Sequence, residues 1–332
     1  MRRKPAGRSN KDRMVWFGQN SPGMILLFLV AVFTVMNPNF LSPFNLYNFL
    51  MQNEYRLVMI TGLAFIMLGG EVDLSVGYQL SLVGVLIGKL LSTGVPYPLC
   101  IALGLLAGCA CGMLNGVLIA GLNLSSVIVT LITENLFRGI SYLISRGMTY
   151  ADFPEPLLDI SGIRGDVWPA SHVIVLLCIL FLEGTFTYTV IGKNILSMGY
   201  DEQVLRQNDI PAGRYKFITY VIGSLFFALA SLLLISRQGL AVSNMGIGLE
   251  IDGLFAVCLA GGGSLFLKES ETKKRVPISN FYLGVLILAV IENGMQLSGS
   301  VQYLQYIITS AVVFFSVLPA ISISFRQKRK MR

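Results

Sequence analysis

Gly69-Gly70-Glu71-Val72-Asp73-Leu74-Ser75-Val76-Gly77 divides two long apolar runs, near residues 48–70 and 74–93. Each run approaches the ~20 residues a helix needs to cross a hydrocarbon core roughly 30 Å thick. Two carboxylates beside paired glycines interrupt an otherwise apolar stretch. Irregular backbone of this kind survives at membrane depth only where protein or a water-filled cavity covers it. One reading is a helix broken beside a pore, with Ser75 capping the helix that follows. An ordinary cytoplasmic turn, with Asp73 and Ser75 as cap residues, fits the spacing equally well. Either way the flanking runs read as membrane spans.

Working outward, ten such runs lie near 22–37, 48–70, 74–93, 97–121, 124–145, 170–191, 214–236, 249–267, 279–298 and 302–324. The 332 residues are 54% hydrophobic and 13% charged, about half the charge of an average soluble domain. Lipid as solvent explains the deficit, and no connection is long enough for a soluble domain. The expected fold class is therefore an all-α integral membrane protein of about ten transmembrane helices. A basic segment 1–21 precedes the membrane domain 22–324, and a basic tail 325–332 follows it. No cleavable leader is expected, since the first run leads into Asn37-Pro38-Asn39-Phe40 rather than a small-residue cleavage site.

Basic residues test the spans, because cytoplasmic segments are enriched in them. One end carries Arg2, Arg3, Lys4, Arg8, Lys11 and Arg13; the other carries Arg326, Lys328, Arg329, Lys330 and Arg332. Ten spans put both ends in the cytoplasm. They also put inside Lys193, Arg206, Arg214 and Lys216, and Lys268, Lys273, Lys274 and Arg275. That is 19 of the 25 Lys and Arg residues on one side. The outside loop 147–169 holds Asp152, Glu155, Asp159 and Asp166 against Arg164. The formal net charge of +7 thus reflects topology, and no nucleic-acid partner is expected.

Within the spans, Gly104, Gly108, Gly112 and Gly116 recur every four residues and share one helix face. A face without side chains lets another helix approach closely, so it is a packing signal. Glu134 and Arg138 are placed to pair at i, i+4, with Asn135 beside them; an ion pair tying helices together is the expected arrangement. Glu250 and Asp252 open the eighth span. The five cysteines all lie in apolar runs and read as small packing residues. With one histidine, His172, and no clustered ligands, no metal site is expected. Gly84 to Lys89 mimics a phosphate loop but has the wrong spacing and no Ser or Thr after the lysine. The chain is expected to be no enzyme and to bind no cofactor itself.

Read together, these motifs resemble the permeases of ribose-type ABC importers. Gly70 to Gly77 is similar to that family's G-x-D-L-S-V-G signature. Asn37-Pro38-Asn39-Phe40 resembles the family's N-P-x-F after the first span, and Asn115-Gly116, Val129-Thr130-Leu131 and Arg138-Gly139 follow Gly70 to Gly77 in the family's order. So do Gly248-Leu249-Glu250-Ile251-Asp252, Ala256-Val257 and Gly261-Gly262-Gly263-Ser264-Leu265. The resemblance covers roughly residues 22–324.

It implies a type II ABC importer permease fold in a bacterial inner membrane, carrying a sugar or similar small polar solute inward. It implies a cytoplasmic ATP-binding subunit that holds ATP and Mg, an extracytoplasmic solute-binding protein and a second permease subunit. The stretch 198–211, within loop 192–213, corresponds to the helix that couples permease to ATPase. Gly199, Tyr200, Asp201, Glu202 and Arg206 are the candidates there. Glu71, Asp73, Ser75, Asn115, Glu134 and Asn135 are the candidates near the translocation path. Two departures favour a heterodimer: bulky Tyr200, Arg206, Gln207, Asn208 and Asp209 where the family has small residues, and a charged, glycine-poor loop 266–275. A signalling furanone or a nucleoside are alternative cargoes, and an ion-coupled secondary transporter is the rival from another class.

Overall fold

In a computed structural model, residues 10–162, 169–261 and 276–330 are described. The predicted cytoplasmic loop 268–276, apart from Val276, and Gly262 to Leu265 lie outside them, as do Arg164, Asp166 and the basic residues Arg2 to Arg8. The chain runs through α1 (Asn10–Met36), α2 (Pro43–Leu68), α3 (Val76–Ser92) and α4 (Tyr97–Gly116), the last prolonged by a π-helical turn Val117–Gly121. It continues through α5 (Ser126–Ser145), α6 (Glu155–Leu158), a 3-10 turn Asp159–Ser161, α7 (Ala170–Tyr188), α8 (Val190–Tyr200) and α9 (Glu202–Gln207). Then come α10 (Ala212–Gln238), α11 (Leu249–Leu259), α12 (Ser279–Leu297) and α13 (Gln302–Lys330). Among the described residues there is no strand, only a single antiparallel bridge between Tyr150 and Ala241.

Among the described residues, five stretches are long and apolar enough to cross a membrane: Tyr97–Gly121, Ser126–Ser145, Ala170–Tyr188, Ala212–Gln238 and Ser279–Leu297. Ser21–Met36, Val76–Ser92 and Tyr303–Ser316 are shorter apolar helices. Helix α2 has the length, but Gln52, Asn53, Glu54 and Arg56 dilute its apolar run. Helix α11 ends at Leu259, close to where the described residues stop. Leu176, Leu177, Leu180 and Phe181 on α7 are all exposed, as are Leu99, Leu103 and Leu106 on α4. Apolar ridges of that extent suit lipid and are poorly matched to water. Helix α1 begins well before the first expected span, with Pro22 inside it, and α13 carries the basic tail on as helix.

The described residues pack as two compact units, a larger one within 46–254 and a smaller one from those before 46 and after 254. In the larger unit α3 is sheathed by α4, α5 and α10. The glycine face of α4 makes this possible. Gly108, Gly112 and Gly116 lie against Ala228, Tyr220 and Phe217 of α10, and Gly104 lies against Ile87 of α3. One end of the unit is fastened by hydroxyl bonds: Ser236 Oγ donates to Leu157 O (2.7 Å), and Ser145 Oγ and Ser243 Oγ lie 2.6 Å apart. His172 Nδ1 lies 2.7 Å from Glu54 Oε1 at the start of α7. In the smaller unit, the Phe33 ring lies against Gly294, Asn37 Nδ2 donates to Leu297 O (2.9 Å), and Asn45 and Asn293 exchange amide bonds.

Candidate functional site

Helix α2 ends at Leu68, and Gly70 turns the chain at φ +82°, a conformation that costs a glycine little and other residues much. Glu71 N–H still bonds Ile66 O at 3.2 Å. Val72 is held from two sides: its N–H donates to Ser126 Oγ (3.4 Å), and its carbonyl accepts from Tyr220 Oη (2.8 Å). Asp73 then accepts from both Ser75 N–H (2.8 Å) and Ser75 Oγ (2.6 Å). This corrects the expected cap. Ser75 precedes α3, but its side chain makes no bond to that helix's free N–H groups; the Asp73 carboxylate closes the turn instead.

Gln79 and Asn115 complete a buried knot. Asn115 Nδ2 donates to Ser75 Oγ (3.0 Å) and Asp73 Oδ2 (3.5 Å). Gln79 Nε2 donates to Ser75 Oγ (2.8 Å) and Asp73 Oδ2 (3.3 Å). Asp73, Ser75, Gln79 and Asn115 are all 0% exposed. Asn115 reaches the knot because it sits on the glycine face of α4, just before the π-helical turn. Such turns recur at functional sites. Gln79 was missed in the sequence, where nothing but its i, i+4 spacing from Ser75 pointed to it.

The second acidic motif meets the first. Glu250 Oε1 accepts from Gly248 N–H (3.1 Å), and its Oε2 lies where a side chain on Gly77 would stand. Asp252 lies 3.8 Å from Arg56. On α5, the expected ion pair of Glu134 with Arg138 is not the contact made among the described residues: the Arg138 guanidinium sits over the Tyr78 ring at 5.5 Å. Asn135 is exposed and turns its amide back to Leu131 O (2.9 Å). Glu134, Asn135 and Arg138 are thus not brought into the knot around Asp73.

Glu71 faces the other way. Its carboxylate lies 3.0 Å from Lys216 Nζ, and Lys216 also lies 2.9 Å from Glu202 Oε2. Glu202 Oε1 bonds Arg206 at 2.7 Å. The expected coupling stretch is built as two helices: α8 as far as Tyr200, then the six-residue α9. Asp201 caps α9 by accepting Gln203 N–H (2.8 Å). Leu205 anchors it inward with Met198, Ala212, Ile210 and Tyr215. Tyr200 and Val204 stay exposed. Gly199 packs directly on the Leu68 carbonyl and Gly70. The Arg206 guanidinium first, and Lys216 second, hold the Glu202 carboxyl below the usual carboxylate range.

Known proteins align with this arrangement along almost its whole length. The family model for the permease component of the branched-chain amino acid transport system matches residues 45–317. The L-arabinose ABC transporter permease protein AraH of Azospirillum brasilense is 31% identical, over 92% of this chain and 88% of its own length. The ribose import permease protein RbsC of Escherichia coli is 29% identical, over 91% and 94%. The galactose/methyl galactoside import permease protein MglC of Salmonella typhimurium is 28% identical, over 93% and 96%. No solved structure matches the chain.

Proposed function

The chain belongs to the family of permease components of branched-chain amino acid transport systems, and on that premise we propose that it is the membrane permease of an ATP-driven importer that carries a sugar into the cell. The observation that carries the substrate class is the near full-length likeness to arabinose, ribose and galactose permeases. The chain's part is transport; ATP and Mg belong to a cytoplasmic partner subunit. A solute-binding protein delivers the sugar from outside, and a second permease subunit completes the path. We favour a different, more regular chain for that subunit, because Tyr200, Arg206, Gln207, Asn208 and Asp209 make this coupling segment bulky.

In this reading the chain crosses the bacterial inner membrane ten times with both ends in the cytoplasm, α2 and the stretch beginning at α11 included. The knot of Asp73, Ser75 and Asn115 holds the helix break that shapes the path. Asn135, exposed on α5, and the half-buried Glu134 beside it face the second permease and the path rather than lipid, where charged and polar groups are costly. Glu71 lies at the cytoplasmic edge of the break. Tyr200, Asp201, Glu202 and Arg206, with Gly199 behind them, form the ATPase-facing surface.

Reconstitution of the chain with its co-purifying subunits and binding protein tests the function. Radiolabelled ribose, L-arabinose and galactose serve as probes, and at least one is expected to accumulate only with ATP inside. Accumulation that ignores ATP but collapses with an ionophore would sink the reading in favour of an ion-coupled transporter.

A further inference from the structure

Packing and charge both join the coupling segment to the helix break: Met198 and Ile195 lie against Gly69. Gly199 abuts the Leu68 carbonyl and Gly70 backbone to backbone. Lys216 supplies a charged contact beside this packing. Its ammonium lies 3.0 Å from Glu71 on the break and 2.9 Å from Glu202 on α9. A lysine has three donor protons, so both bonds form at once.

Building on the importer reading, we propose that Lys216 is the positioning residue that makes the helix break follow α9 when α9 is drawn away, so that ATP-driven motion of the coupling helix is returned to the path in both directions. The side chains of Lys216 and Glu71 are only 15% and 13% exposed, against 31% for Glu202. The inner pair is therefore sheltered from the screening that weakens surface ion pairs. The outer carboxylate is shared with Arg206, which orients it without reaching Glu71. One turn along α10, Tyr220 holds Val72 by its carbonyl. Lys216 and Tyr220 share a helix face, so α10 grips two successive residues of the break, 71 and 72. Of these two grips, only that of Lys216 also holds α9.

The test uses the complete reconstituted complex, with the sugar that the unaltered complex takes up as the probe. The readout is sugar imported per ATP hydrolysed. If the unaltered complex shows no ATP-driven uptake, the importer reading fails before Lys216 is examined. In Lys216→Met the ratio is expected to fall about tenfold, the size of a typical coupling between sites, while ATP hydrolysis continues. Lys216→Arg, which keeps the charge, is expected to recover most of the ratio. Glu202→Gln is expected to lower the ratio alone and to add nothing in the Lys216→Met background, since both remove one link. A Lys216→Met complex that imports as many sugars per ATP as the unaltered one overturns the proposal. So does an equal loss of uptake and hydrolysis, which marks a purely structural residue. If Lys216→Met does not assemble, Glu202→Gln decides the matter, because it leaves the sheltered pair in place; an unchanged ratio there overturns the proposal.

Discussion

Asp73 shows how much one side chain organises. Four donors from Ser75, Gln79 and Asn115 converge on its two oxygens, at sites closed to solvent. A buried donor left without an acceptor costs about 1–3 kcal/mol. Asp73→Ala is therefore expected to destabilise the protein by more than about 2 kcal/mol, read as a lowered Tm of the detergent-purified chain. Asp73→Asn keeps the shape and one acceptor oxygen, and should cost less. Equal Tm values for Asp73→Ala and the unaltered chain would show that the knot supports nothing. Glu202 is a second residue with a measurable signature. Arg206 and Lys216 lower its folded pKa from the ordinary 4.5. Its contribution is thus fully present above about pH 4.5 and is lost as pH falls through the lower folded value. Hydrogen exchange across 202–207 should accelerate below that point and stay flat from neutrality down to it.

Among elements, the pairing of α4 with α10 sets how tightly the larger unit closes. A Cβ on Gly112 would stand 2.5 Å from Tyr220 O and 2.7 Å from the Ser224 side chain. Backbone cannot yield as a flexible side chain does, so Gly112→Ala is expected to cost about 1–3 kcal/mol. It should also disturb Tyr220, which holds Val72, and so reduce uptake. Gly184 on α7 has nothing within 4 Å of the same position. Gly184→Ala is expected to be neutral or to stabilise by up to about 1 kcal/mol. Melting curves of the two variants side by side separate packing from general helix propensity; if both behave alike, close approach of α4 to α10 is not what the glycines provide.

At the scale of the whole molecule, the predictions concern sidedness and company. Cysteines placed at Asp152 and at Arg206 in a cysteine-free background should react with a membrane-impermeant thiol reagent from opposite sides. Labelling of both from one side would refute ten spans with cytoplasmic ends. Gentle purification of the tagged chain should bring down an ATP-binding subunit and a second, related permease. Two copies of this chain beside the ATPase, with no other permease, would remove the heterodimer and leave the importer in place.

Much of this was legible in one dimension, because the bilayer imposes a length and a polarity on every span. Apolar runs and the spacing of Gly104, Gly108, Gly112 and Gly116 needed no partner to be read. The motif Gly70 to Gly77 also marked where one helix ends and the next begins. Which way each polar side chain of that break turns was not legible. Glu71 and Asp73 are neighbours with the same chemistry, yet one closes a knot with Asn115 and the other reaches Lys216. Lys216 counted in the sequence only as one more expected cytoplasmic charge, and nothing in the sequence singled out Tyr220. Both acquire a role from the close approach of α10 to α3 and α4, which lays the first turns of α10 across the break. Periodicity assigns a residue to a face, but the partner it meets there comes from a segment far away in the chain, and only the packing of helices brings the two within bonding distance.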